Sequence, residues 1–183
     1  MRSPDLRKKL EEARRFLLAR DSTRALPRYE KLARQYPGVA VIWMEYGNAA
    51  SGTRDFALAD RAWRRALELA PRNADLVGLI GHQYQAIRRP DKARACFSQA
   101  AAADPRGINP RVSLAVLLEQ NHRIEEARAV LAECLTIDAA DDQARYFTAV
   151  LDRRENKLDA AERGLRDLIA SEPKHPFVRY ACR

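Results

Sequence analysis

An all-α solenoid of stacked helical hairpins is what this sequence predicts, and three observations predict it. The chain repeats itself every 34 residues with no insertion or deletion. Small residues fall in two fixed columns of that register, and proline falls in a third. Five units begin at Leu6, Ala40, Ala74, Ile108 and Asp142. A repeat of this length is one supersecondary unit, which buries its apolar face only by stacking on a neighbour.

The columns each do a physical job. Position eight reads Ala13, Gly47, Gly81, Ala115 and Ala149, and position twenty reads Ala25, Ala59, Ala93, Ala127 and Ala161. Small side chains there let two helices cross closely. Position twenty-four is Tyr29, Trp63, Phe97, Leu131 and Leu165, bulky enough to fill the space between units. Position twenty-seven is Leu32, Ala66, Ala100, Cys134 and Leu168. Position thirty-two is Pro37, Pro71, Pro105, Ala139 and Pro173, and proline there ends the second helix.

First helices are expected at 5–19, 40–51, 74–87, 109–120 and 142–155, and second helices at 22–36, 56–70, 90–103, 124–137 and 158–171. Within units, Gly52, Asn121 and Asn156 are expected to take the left-handed turn that closes a helix. Between units, Asn73, Asn109 before Pro110, and Asp141 read as N-caps. Pro27 lies inside a second helix and implies a late start or a kink there. A partial sixth first helix is expected over 176–183, making one domain of residues 1–183. Its Phe177, Tyr180 and Cys182 would have no following unit to cover them, which points to a fragment of a longer protein.

These columns resemble the tetratricopeptide repeat family across nearly the whole chain. The unit from Ala40 carries Trp43, Gly47, Ala59, Ala66 and Pro71 in the family's marked places, and the next adds Gly81, Tyr84, Ala93, Phe97, Ala100 and Pro105. The first unit departs most, with Lys9 and Glu12 where apolar residues are usual. The resemblance implies a right-handed α-solenoid whose first helices line a concave groove, and a function in binding a peptide or helix segment of a protein partner. The chain, including its end from His175 to Arg183, is also similar to repeat segments that precede sulfotransferase domains in some bacterial proteins, which implies a catalytic domain after Arg183.

Bulk properties agree with a scaffold. Apolar residues make up 46% and charged residues 32%, with 32 alanines and 7 glycines, a helix-favouring composition. No run approaches the roughly 18 apolar residues that a membrane span needs. Met1 to Glu12 is charged, so no secretory signal is read and a cytoplasmic location is expected. Cys96, Cys134 and Cys182 are widely spaced and form no metal or disulfide framework.

No catalytic constellation is visible. His82 has no Ser, Cys or carboxylate at helical spacing, and His122 and His175 fall in turns. No phosphate loop or metal array is present, so no cofactor, no metal and no enzyme activity are expected within these residues.

The binding candidates are the inward positions two, five, nine and twelve of each first helix. They nominate Met44, Asn48, His82, Gln85, Val112, Val116, Gln143, Tyr146 and Val150, a mixture of apolar patches and amides that suits a polypeptide backbone. Some family members grip a C-terminal carboxylate with flanking lysines and arginines. Here the matching places hold Met44, Asn109 and Ser113, or Leu10, Asp75 and Leu79, so no such clamp is expected.

The net charge of +8 is uneven, with +6 in residues 1–36. Arg7, Lys8, Arg14 and Arg15 form a basic patch there, open to an acidic partner, anionic lipid or nucleic acid. Few aromatics are interleaved with these charges, which disfavours base stacking.

Overall fold

The computed structural model describes residues 4–171, and among these residues it contains ten α-helices and no strand. They are α1 (Pro4–Leu18), α2 (Ser22–Gln35), α3 (Ala40–Gly52), α4 (Phe56–Leu69), α5 (Ala74–Ala86), α6 (Pro90–Ala103), α7 (Ile108–Gln120), α8 (Ile124–Ile137), α9 (Asp142–Arg154) and α10 (Leu158–Ser171). Each lies within a residue or so of its expected place. The expected helix at 176–183 lies outside the described residues. Among the described residues no helix is long and apolar enough to cross a membrane. The described residues divide into two compact units, the first ending at Ala100 and the second beginning at Ala101.

The hairpin turns share one hydrogen-bond frame. Arg20 N–H donates to Leu17 O at 3.0 Å and Asp21 N–H to Phe16 O at 2.8 Å, and both bonds recur 34 residues on, at Arg54 to Ser51 (3.0 Å) and Asp55 to Ala50 (2.9 Å). That pairing, closed by a left-handed residue, satisfies carbonyls that the helix end leaves open. The left-handed residues are Arg20, Arg54, Arg88, His122 and Asn156, all at position fifteen.

This corrects two expectations. No glycine has positive φ, and neither Gly52 nor Asn121 is left-handed, whereas Asn156 is. Gly52 is small for a different reason: a Cβ there would collide with the side chain of Ser22 in the neighbouring turn. Asn121 instead donates its side-chain amide to Leu117 O at 2.6 Å.

The caps follow a similar logic. Asn73 accepts from Leu76 N at 3.0 Å and Asp141 from Ala144 N at 2.7 Å. Asn109 is not a cap, because α7 begins at Ile108 with Gly107 before it. Pro110 is then the third residue of the helix, still among the first four whose N–H has no intrahelical partner, so its missing donor costs nothing. Asp21 and Asp55 cap α2 and α4 through Arg24 N (3.0 Å) and Leu58 N (2.9 Å). α2 starts at Ser22 with Pro27 inside it, so there is no late start. The carbonyl that Pro27 deprives of a donor belongs to Thr23, an exposed residue that water can serve.

The small columns sit at helix crossings. A Cβ on Gly47 would stand 3.0 Å from Cε2 of Trp63 and nearer still to Cδ1 and Nε1. Ala25, Ala59, Ala93 and Ala127 are fully buried, as are Tyr29, Trp63 and Phe97 of the bulky column. Each such large apolar side chain contributes about 1.5–3 kcal/mol on burial. In the first unit Leu10, Tyr29, Ile42 and Tyr46 form a core packed by Trp43 and Leu58, and in the second Val112, Leu118, Leu131 and Leu151 do the same.

Candidate functional site

In the first unit, packing leaves one face of α3 and α5 uncovered. Ile42, Tyr46, Ala49 and Ala50 of α3 are buried, while Val41, Met44, Asn48 and Ser51 are only half-buried. Asn48 is fixed by its neighbour. Trp63 is fully buried and its Nε1–H needs an acceptor, which Asn48 Oδ1 supplies at 3.0 Å. With the oxygen so used, Asn48 keeps its Nδ2 donor pair for other groups.

On α5, Gly78 faces open space, with nothing within 4 Å of where a Cβ would be. Leu79 beside it is 51% exposed. His82 is exposed and lies edge-on to Phe97, ring centroids 4.9 Å apart, and Gln85 is half-buried. Leu79 was outside the four inward positions of the register. Its signal was an apolar residue at position six, where the other units read Glu11, Glu45, Ser113 and Phe147.

The basic patch is partly spent on intramolecular pairs. Arg7 bonds Glu11 at 3.1 Å, and Arg14 Nε donates to Glu45 Oε1 at 2.7 Å. Lys8 and Arg15 remain exposed. Glu45 is 9% exposed, and burial pushes its carboxyl above the usual range, with the bond from Arg14 offsetting only part of that. Its Oε2 and the Tyr29 hydroxyl are both buried without a well-formed hydrogen bond. Lys9 and Glu12 stand where the next unit has Trp43 and Tyr46. There Arg28 lies 4.1 Å over the ring of Phe16 and reaches Glu12 at 3.7 Å, covering an apolar side chain with charge.

In the second unit Val116, Gln143, Tyr146 and Val150 are half-buried, with Tyr146 edge-on to Phe147 at 5.2 Å. Val112 is corrected: at 3% exposure it belongs to the core with Ala115 and Leu131 and has no surface for a ligand.

Both units use the same electrostatic clip between successive repeats. Position twenty-one of one repeat meets position eleven of the next: Tyr84 donates to Asp60 at 2.9 Å, and Arg128 donates to Asp152 at 2.9 Å. Lys92 joins the first pair and Glu155 the second. Burial pushes the Asp60 carboxyl up, but the bonds from Lys92 and Tyr84 outweigh it and hold it below its ordinary value.

Cys96 and Cys134 are buried, and burial pushes both thiols up to about 11, so they are protonated core fillers at neutral pH. Among the described residues no cluster of three His, Cys, Asp or Glu could hold a metal. His122 is exposed in its turn, and His175 lies outside the described residues.

Comparison with known proteins finds no matching protein-family model and no matching curated sequence. Solved structures do match. A tetratricopeptide repeat protein from Parabacteroides merdae superposes with a TM-score of 0.77 at 16% identity, over 98% of this chain and 71% of its own. YrrB, described as a TPR protein with an unusual peptide-binding site, gives 0.68 at 20% identity over 94% and 89%. PilF of Pseudomonas aeruginosa gives 0.71 at 18% identity over 91% and 75%. The chain has the tetratricopeptide-repeat fold.

Proposed function

We propose that this chain is a non-catalytic interaction module that holds a peptide or helix segment of a partner protein on the first-helix faces of its repeats. The observation that carries the reading is the composition of the uncovered face of α3 and α5. Met44 and the 51%-exposed Leu79 offer apolar contact, Gly78 has nothing within 4 Å of where a Cβ would be, and Asn48 presents an amide whose orientation Trp63 fixes. A preset donor on a face with accessible apolar side chains suits a polypeptide, whose backbone carbonyls need donors and whose side chains need apolar contact. Val116, Tyr146 and Val150 give the second unit an apolar face of its own.

The test is a peptide array probed with the wild type, with Met44→Glu/Asn48→Ala, and with Val116→Glu/Tyr146→Ala. Val112 is left alone because a charge there would unfold the core. Loss of bound peptides in either double variant, with circular dichroism unchanged, supports the reading. Undiminished binding to both would end it.

A further inference from the structure

The hairpin turns of the first unit carry a feature that the first-helix face does not explain. Three successive repeats place an arginine at the left-handed position: Arg20 (φ 57°), Arg54 (φ 65°) and Arg88 (φ 57°). Glycine adopts that conformation without steric cost, and arginine does not. Strain that persists at the same place in three repeats is a reason to look for a use. The second unit has His122 and Asn156 there instead.

The three turns stand side by side. Ser22 packs directly on Gly52, which joins the first turn to the second. Lys92 and Tyr84 both reach Asp60, which joins the second repeat to the third. All three arginines are exposed, and none forms a salt bridge with a described residue. Asp21 and Asp55, each next to an arginine of the row, cap the helices that follow. Two exposed large apolar side chains lie on the same edge, Leu18 at 85% and Phe56 at 42%, each two residues from an arginine of the row.

We propose that this edge is a second docking surface, one that takes an acidic, extended segment of a partner protein. Its carboxylates meet Arg20, Arg54 and Arg88, and its apolar side chains cover Leu18 and Phe56. Guanidinium groups are matched to carboxylates by their fork geometry, and arginine interleaved with large apolar residues is the composition that protein interfaces favour. A nucleic acid fits less well, because Leu18 cannot stack on a base. Packed helices lie about 8–10 Å apart. An extended chain advances about 3.3 Å per residue. The complementary segment therefore carries an acidic residue at about every third position.

The test uses a library of random 12-residue peptides displayed on phage, selected on the full chain. The key variant is Arg20→Gly/Arg54→Gly/Arg88→Gly, in which glycine preserves the turns while removing the charge. A thermal melt confirms that it is folded. The expected result is enrichment of peptides with Asp or Glu three apart, which bind the variant at least tenfold more weakly. Arg72→Ala/Arg94→Ala/Arg106→Ala, with the same charge removed from elsewhere, binds them within about twofold of wild type, as does Met44→Glu/Asn48→Ala. Failure to enrich any peptides with that acidic spacing would overturn the proposal. So would equal weakening by the two triple variants, or a single-stranded 20-nucleotide DNA that outcompetes the peptides.

Discussion

A methyl group on Gly81 would stand 2.7 Å from Cε1 of Phe97 and 3.1 Å from Cβ of Cys96. Both obstacles are fixed, since Phe97 is fully buried and a Cβ moves only with its backbone. Three residues earlier on the same helix, Gly78 has nothing within 4 Å. The two glycines therefore respond oppositely to alanine. Gly78→Ala gains about 0.5–1 kcal/mol from helix propensity alone. Gly81→Ala receives the same gain but overpacks the crossing, and a net loss of about 1–2 kcal/mol is expected. Urea midpoints for the two variants decide this. Equal shifts would mean that the small column is not a steric requirement.

That column was legible in the sequence because close crossing admits few residue types, and Gly47, Gly81 and the alanines must recur wherever helices touch. Of the left-handed turns only that at Asn156 was legible. Their geometry is set by backbone bonds such as those of Arg54 to Ser51 and Asp55 to Ala50, which any residue can make, so arginine and histidine hold the position elsewhere and Gly52 and Asn121 do not mark it. The site was legible in part. Periodicity placed Asn48 on the uncovered face, but it could not show that Trp63 orients it. Nor could periodicity separate Val112 from Val116, because a valine's burial depends on what the flanking helices carry. The charges of Arg7 and Arg14 were visible, whereas the pairing of Arg14 with Glu45 spans 31 residues and two helices.

The turn arginines lead to a stabilising prediction. A left-handed non-glycine residue costs about 1–2 kcal/mol, and glycine returns about 0.5–1 kcal/mol of that as chain entropy. Arg54→Gly and Arg88→Gly are each expected to raise stability by about 0.5–1 kcal/mol. Asn156→Gly gains less, because asparagine already tolerates the conformation. Thermal melts check the ranking, and a lower melting temperature for Arg54→Gly would contradict the turn geometry.

Capping separates true helix starts from apparent ones. Asp55→Ala and Asn73→Ala each remove a side-chain bond to a backbone N–H and should cost about 1 kcal/mol. Asn109→Ala should cost only a few tenths of that, because α7 starts before it. A loss at Asn109 equal to that at Asn73 would restore it as the cap.

Glu45 gives the last prediction, and its sign follows from burial. Its folded carboxyl titrates above the ordinary value near 4.5, mainly because it is buried. The unfolded chain therefore releases this proton more readily than the fold does. The stability that Glu45 contributes is fully present below its unfolded value and is lost as pH rises through the folded one. Arg14 limits that loss by bonding the charged form at 2.7 Å. Removing Arg14 strands a nearly buried carboxylate, and Arg14→Ala is expected to cost about 2–3 kcal/mol at pH 7. At pH 4 the penalty should be much smaller, because the orphaned acid is protonated there. Glu45→Gln should abolish the pH dependence of the Arg14→Ala penalty, since an amide has no charge to strand. Urea unfolding of the two single variants and the double variant at both pH values measures this coupling. A penalty for Arg14→Ala that is the same at pH 4 and pH 7 would show that Glu45 is not the group it serves.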